Sequence, residues 1–182
     1  MALWIARHAT PLIASGVCYG ALDVAADTQY TLQAARALAQ AIPLHCKVWV
    51  SPLQRCIQLA YALSDIRSGL KPQTDTRLRE MDFGTWEGVA WDAIPLAAMQ
   101  VWTDDFGAHR FGGVESANEV LARVAEVWNE TRAHSIDHQL WITHAGVARA
   151  VQLISQDVLS VDNASQWPKD APAYGQWWCW EV

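Results

Sequence analysis

The sequence lacks the features of a membrane protein, a nucleic-acid binder or a secreted domain. Its 182 residues contain no apolar run near the length that spans a bilayer, and residues 1–30 show no signal-peptide pattern. Thirteen Lys and Arg against 19 Asp and Glu give a net charge of −6, with no basic cluster. We therefore expect a cytoplasmic protein that binds neither nucleic acid nor an anionic membrane surface.

Closely spaced cysteines are also missing. Cys18, Cys46, Cys56 and Cys179 lie far apart and form no Cys-x-x-Cys pair. Free cysteine is among the most buried residue types, so we expect buried thiols and no disulfide. Because no carboxylate cluster suits Mg²⁺, we also expect no metal and no cofactor.

Short apolar runs alternate with helix-forming segments along the chain. Strands are predicted at 3–7, 47–50, within 70–80, at 139–143 and at 176–182. Helices are predicted at 31–42, 52–65, 91–102, 115–133 and 147–159. This order indicates a single α/β domain over residues 1–182, a three-layer α/β/α sandwich with a mostly parallel central sheet. The last strand is expected as an antiparallel edge.

Three of the apolar runs end in residues suited to an anion. Arg7 and His8 follow the first run, Arg55 follows the run at 47–50 through a predicted Ser51-Pro52 helix start, and His144 follows the run at 139–143. Since open α/β sheets bind ligands at the carboxyl ends of their strands, we expect these side chains to meet there. Two guanidinium forks beside a helix N-terminus suit a phosphate.

The order of the motifs resembles the histidine phosphatase superfamily, also called phosphoglycerate mutase-like. Arg-His is followed by Ser-Pro-x-x-Arg, by Glu-x-x-x-Gly-x-x-Glu-Gly and by Thr-His-x-Gly, over nearly the whole chain. The resemblance implies that His8 is a nucleophile that forms a phosphohistidine. It further implies that Arg7, Arg55 and His144 bind the phosphoryl group and that Glu80 donates a proton.

The resemblance implies a further contact with the phosphoryl group, and the chain departs from the family pattern at two positions. It implies that the Ala145 backbone N–H joins the pocket. Ala9 replaces a usual glycine, which requires a negative φ at that position. Ala14 replaces an Asn that contacts phosphate in many members, so Tyr19 or Thr10 is expected to supply that contact.

The carboxylates of the central segment compete for the proton-donor role. The family alignment favours Glu80 over Asp82. Glu87 is expected to be structural, and Glu115 with Ser116 is expected to begin a helix.

The resulting interpretation is a phosphomonoesterase that acts on a small phosphorylated metabolite. Cys18-Tyr19-Gly20 and the segment 83–88 resemble the alpha-ribazole phosphatases of cobalamin biosynthesis, which makes alpha-ribazole 5′-phosphate the expected substrate. Trp86, Trp91 or Trp102 would stack on its base, although core packing is the default for any single ring.

Three other functions stay open at this point. A phosphoglycerate mutase is disfavoured because the chain is shorter than the mutases that it resembles. A protein phosphohistidine phosphatase is a second alternative. A catalytically silent phosphate-binding module is disfavoured because His8 and Glu80 are both retained. The expected assembly is a monomer or homodimer.

Overall fold

A five-stranded sheet lies between two layers of helices in this computed structural model, which describes residues 2–133 and 138–181. The strands are β1 (Ala2–Arg7), β2 (Cys46–Val50), β3 (Gln73–Thr74), β4 (His138–Thr143) and β5 (Trp177–Glu181). The helices are α1 (Thr28–Ala41), α2 (Gln54–Ile66), α3 (Leu96–Asp104), α4 (Ala117–Ala133) and α5 (Ala145–Ile154).

The sheet has the order β3-β2-β4-β1-β5. Its first four strands pair in parallel, and β5 pairs antiparallel with β1 at the edge, as expected. The expected α/β class with a mostly parallel sheet is confirmed. Because β1, β4 and β2 are neighbours, their carboxyl ends meet at one edge.

Alternation along β4 shows how the sheet separates two hydrophobic layers. Leu140 and Ile142 pack in a cluster with α1 and α2, whereas Trp141, between them, packs in a cluster with α4 and α5. Successive side chains of a strand point to opposite faces, so a wholly apolar strand must be covered on both.

Two helix starts differ from the sequence prediction. α1 begins at Thr28 instead of residue 31, because the Asp27 carboxylate accepts a hydrogen bond from the Tyr30 N–H and caps the helix. α2 begins at Gln54, and Leu53 occupies the cap position. The predicted cap at Ser51 is wrong because that side chain is buried and lies 2.8 Å from His144 instead.

The predicted helix over 91–102 is confirmed only in its second half, since α3 begins at Leu96 and ends at Asp104. A single 3-10 turn at Trp91–Ala93 precedes α3, and Pro95 separates the two. The segment packs through aromatic side chains; the Trp102 and Phe111 rings stack with centroids 4.2 Å apart.

Smaller differences concern other boundaries and the thiols. α5 ends at Ile154, short of the predicted 159, and Asp157 follows with φ of +59°. Cys18 and Cys56 are buried as expected, but Cys179 is exposed because it lies on the edge strand β5. No helix within the described ranges is long and apolar enough to cross a membrane.

Candidate active site

Two histidines meet at the carboxyl edge of the sheet. His8 follows β1 and His144 follows the adjacent parallel strand β4, so their ring centroids lie 5.1 Å apart. Both side chains are buried, with exposed fractions of 2% and 0%. The edge therefore holds a pair of imidazoles screened from bulk water.

The hydrogen bonds of His8 determine its tautomer. Nδ1 lies 2.7 Å from the Ala9 carbonyl oxygen, which only accepts, so Nδ1 carries the proton. The Nε–H of Arg55 donates to Nε2 over 3.3 Å. Burial, with Arg55 and Arg7 nearby, lowers the His8 pKa to about 3. Nε2 thus keeps a lone pair at neutral pH.

Arg55 is a fully buried cation held by neutral groups. Besides His8, its guanidinium donates to the carbonyl oxygens of Leu22, at 2.8 Å, and Gly20, at 2.6 Å. No carboxylate within the described ranges forms an ion pair with it. A buried charge without a counter-ion is costly, so this site favours an anionic ligand.

Arg7 adds a second guanidinium from the end of β1. It donates to the Pro172 carbonyl over 3.1 Å, and its buried Nε has no hydrogen-bond partner among the described residues. The ring of Tyr174 lies 3.8 Å from its central carbon. Tyr174 in turn contacts the hydroxyl of Tyr19 over 2.8 Å. The two tyrosines thereby connect the segments on either side of the site.

His144 is held by the end of the neighbouring strand β2. Its Nε2 lies 2.8 Å from the Ser51 hydroxyl and 3.4 Å from the Cys56 sulfur. Burial and the charge of Arg55 lower the His144 pKa well below its usual value. His144 is therefore neutral and can donate one hydrogen bond to an anion.

Glu80 lies at the N-terminus of α5. Its carboxylate accepts hydrogen bonds from the Gly146 N–H at 3.0 Å and from the Met81 N–H at 3.1 Å. A methyl group at Gly146 would overlap the Glu80 Oε1, so the carboxylate holds this position only because residue 146 has no side chain. Asp82 instead accepts from the Gly84 N–H and does not line the cavity. The geometry favours Glu80 over Asp82 as the proton donor.

Glu87 has the structural role expected of it. Its carboxylate accepts from the N–H groups of Gly20, Ala21, Leu22 and Phe83 at 2.9–3.0 Å. It thus anchors the loop whose carbonyls bind Arg55.

Glu115 does more than begin a helix. It forms an ion pair with Arg123, 2.7 Å away, and accepts from the Asp82 N–H, while Ser116 bonds the first turn of α4. Sequence spacing does not show the contact between Glu115 and the Asp82 N–H, because these residues meet only in the folded chain.

These residues open into one cavity of about 370 Å³. The predicted site residues that line it are Arg7, His8, Tyr19, Arg55, Glu80 and Ala145. His144 is not among the lining residues and is buried beside His8. Trp91 and Trp102 line it as well, whereas Trp86 and Thr10 do not. Ala14 is exposed, and Ala9 has no positive φ, as its methyl group requires.

Among the polar residues of the cavity, sequence reasoning missed Arg149 and Tyr174. Arg149 follows the Thr-His-x-Gly motif by one helical turn, a spacing that would have placed it on the same face as Gly146. Tyr174 carries no such signal, because it lies in an irregular segment before β5.

The cavity has the chemistry of a phosphoryl-binding site. Two guanidinium groups supply positive charge, one imidazole offers a lone pair, and a carboxyl group lies beside it. Within the described residues, no group of three or more His, Cys, Asp or Glu is arranged to hold a metal ion.

Comparisons with known proteins agree with this arrangement. The model of the histidine phosphatase superfamily (branch 1) matches residues 3–167. A glucosyl-3-phosphoglycerate phosphatase of Mycolicibacterium vanbaalenii is 35% identical over 130 residues, which cover 70% of this chain and 54% of that protein. The chain thus spans about half the length of that relative.

Two further proteins are similar to the chain. A Hydrogenobacter thermophilus protein, named provisionally as phosphoserine phosphatase 2, is 30% identical over 156 residues, covering 82% of this chain and 75% of that one. The structure of mycobacterial glucosyl-3-phosphoglycerate phosphatase superposes with a TM-score of 0.81 at 23% identity, covering 98% of this chain and 88% of that one. At that identity the superposition shows the fold.

Burial of neutral His8 predicts a pH-dependent stability. The unfolded chain protonates this histidine below about pH 6.5, whereas the folded chain does so only near pH 3, so stability falls as the pH falls between them. Between pH 8 and pH 5, we expect the wild type to lose about 2 kcal/mol more unfolding free energy than His8→Gln.

Urea unfolding at several pH values measures this difference. His109→Gln, which removes a half-exposed histidine outside the cavity, is the control. Parallel stability curves for the wild type and His8→Gln would contradict the shifted pKa.

Proposed function

Because the chain belongs to branch 1 of the histidine phosphatase superfamily, we propose that it hydrolyses a small phosphomonoester through a phosphohistidine at His8. The observation that carries this proposal is the state of His8. The Ala9 carbonyl holds the proton on Nδ1, so the lone pair is on Nε2. Nε2 lies beside Arg55, a buried cation with no carboxylate partner in the described ranges.

In the first step, Nε2 of His8 attacks phosphorus in line. The P–N bond forms as the ester P–O bond breaks, and the leaving oxygen takes a proton from Glu80. The Nδ1–H···O=C bond to Ala9 stabilises the positive imidazole ring that results. Arg7, Arg55 and His144 stabilise the equatorial oxygens, a positioning and electrostatic role.

In the second step, water attacks the phosphohistidine. The ionised Glu80 carboxylate takes a proton from that water, the P–N bond breaks and its electron pair returns to Nε2. Inorganic phosphate leaves, and Glu80 is again protonated for the next cycle. The guanidinium groups supply the positive charge for both steps, so the mechanism uses no metal ion.

The geometry bears on the alternatives as well. Glu80 and His8 line one cavity, which supports catalysis over silent phosphate binding. A cavity of about 370 Å³ has the size of a small-molecule site, which favours a metabolite over a protein phosphohistidine.

For the substrate, two candidates have support. Alpha-ribazole 5′-phosphate is favoured by the Cys18-Tyr19-Gly20 motif and by Trp91 and Trp102, which line the cavity and offer faces for a planar base. A phosphomonoester of a carboxylated alcohol is favoured by the relatives, since phosphoglycerate and phosphoserine both carry a carboxylate.

We expect His8→Ala to abolish turnover, because the attacking atom is lost. Hydrolysis of p-nitrophenyl phosphate should fall by more than about a thousandfold. Acid-labile, base-stable phosphate should be trapped on the wild type in the presence of EDTA, and none on the variant. His109→Ala is the matched control and should keep full activity. Trapping on His8→Ala, or a strict metal requirement, would contradict the mechanism.

The Glu80 carboxyl should matter most for poor leaving groups. Glu80→Gln removes the proton, and Gly146→Ala pushes the carboxyl aside. Both should lower kcat for alkyl phosphates by about 100-fold or more, but much less for p-nitrophenyl phosphate, whose phenolate needs little protonation. Asp82→Asn and Gly69→Ala, where a methyl group meets no atom, are the controls. Equal losses on both substrates would remove Glu80 from this role.

Stacking on a base predicts a preference among ribose phosphates. If alpha-ribazole 5′-phosphate is the substrate, its kcat/KM should exceed that of ribose 5-phosphate, which lacks the base, by about tenfold or more. Trp102→Leu should reduce this preference while leaving ribose 5-phosphate hydrolysis unchanged. Equal kcat/KM values for the two compounds would exclude stacking as the basis of specificity.

A further inference from the structure

A third arginine lines the cavity apart from the phosphoryl site. Arg149 lies on α5, three residues after Gly146, whose N–H binds Glu80. Residues three apart on a helix lie on the same face, so Arg149 is placed one turn beyond the carboxyl group of Glu80. Burial lowers the pKa of the Arg149 guanidinium, and the nearby Glu80 carboxyl opposes that shift.

This guanidinium has few partners. Its Nη2 donates to the Lys169 carbonyl over 3.0 Å, and its buried Nε has no hydrogen-bond partner among the described residues. Within those residues, no carboxylate lies at ion-pair distance from Arg149. A half-buried cation with one neutral acceptor has unused capacity to bind an anion.

We propose that Arg149 binds a carboxylate on the leaving group, so that the substrates are phosphomonoesters of small carboxylated alcohols. The inference rests on the proposed function, since it needs the phosphoryl group placed at His8. In this proposal Arg149 determines substrate specificity, and His8 and Glu80 carry out the chemical step.

The in-line geometry places Arg149 on the correct side. The nucleophile and the leaving oxygen lie on opposite sides of phosphorus, and the donor that protonates the leaving oxygen is Glu80. A cation one helical turn beyond Glu80 therefore faces the leaving group. Arg7 and Arg55 lie beside His8, where they are proposed to bind the phosphoryl oxygens, so Arg149 is left for a second anionic group.

The surroundings of Arg149 strengthen such a contact. The rest of the cavity wall is largely aromatic, formed by Phe83, Trp91, Trp102, Phe106 and Trp167. An apolar wall lowers the local dielectric constant, so a guanidinium–carboxylate pair is stronger there than at the surface. The planar fork of arginine matches the two carboxylate oxygens.

Two matched substrate pairs test the proposal, because the members of each differ mainly by a carboxylate. They are phosphoserine with phosphoethanolamine and 3-phosphoglycerate with glycerol 1-phosphate. We expect the wild type to prefer the carboxylated member by about tenfold or more in kcat/KM. Arg149→Met should reduce this preference to less than about threefold, and Arg149→Lys should keep part of it.

Controls separate this role from a structural one. Arg149→Met should lower kcat/KM for the carboxylated members at least about tenfold more than for p-nitrophenyl phosphate, since that compound has no carboxylate. Arg36→Met, which removes an exposed arginine from α1, should leave both preferences unchanged. If Arg149 only binds the Lys169 carbonyl, Arg149→Met would lower kcat/KM for all substrates and would also lower the melting temperature.

The possible results distinguish the two proposals. No phosphate release from any compound, with no trapped phosphohistidine, would overturn the proposed function. Active protein without preference for the carboxylated members would overturn the role of Arg149 alone. So would a kcat/KM for alpha-ribazole 5′-phosphate that exceeds those of both carboxylated compounds, since that ester has no carboxylate.

Discussion

The buried guanidinium of Arg55 is the interaction on which the site depends. It donates to His8 and to the carbonyls of Gly20 and Leu22, and it meets no carboxylate in the described part of the chain. Burial and, after it, the charge of Arg55 lower the pKa of both histidines, so the imidazoles stay neutral. The same charge lacks a counter-ion until an anion arrives. In the proposed mechanism, this one buried cation both keeps the nucleophile neutral and attracts the anionic substrate.

The loop after β1 is stabilised by charges of both signs. Arg55 accepts no hydrogen bonds and therefore takes the carbonyl oxygens of this loop, while the Glu87 carboxylate takes the N–H groups of Gly20, Ala21 and Leu22. Each ion satisfies backbone groups that no regular secondary structure pairs. The long segment between β1 and α1 can thus be irregular and still hold Tyr19 at the cavity.

The cavity divides its cations between two tasks. Arg7 and Arg55 lie beside His8, where the phosphoryl group is proposed to bind, and Arg149 lies beyond Glu80 on the leaving-group side. Gly146 links these regions because its missing side chain lets the Glu80 carboxylate reach the start of α5. The proposed reaction and the proposed substrate choice therefore depend on different residues of α5 and its neighbours.

The sequence by itself determined the α/β class, the parallel strands and the gathering of Arg7, His8, Arg55 and His144 at one edge. Alternating apolar runs and strand-end motifs are local signals, and parallel strands bring their ends together whatever the loops do. It misplaced the starts of α1 and α2 and the bounds of the helix over 91–102, where Asp27, a buried Ser51 and Pro95 decide the boundaries.

Only the tertiary structure decided which side chains meet across the fold. Segments distant in sequence are joined by the Ser51–His144 contact, by the Gly20, Ala21 and Leu22 N–H groups on Glu87, by the Tyr19–Tyr174 pair and by the Arg149–Lys169 hydrogen bond. The burial that lowers the His8 pKa is likewise a property of the packed chain. A sequence pattern records which groups are present, but hydrogen bonding and desolvation depend on distances that exist only after folding.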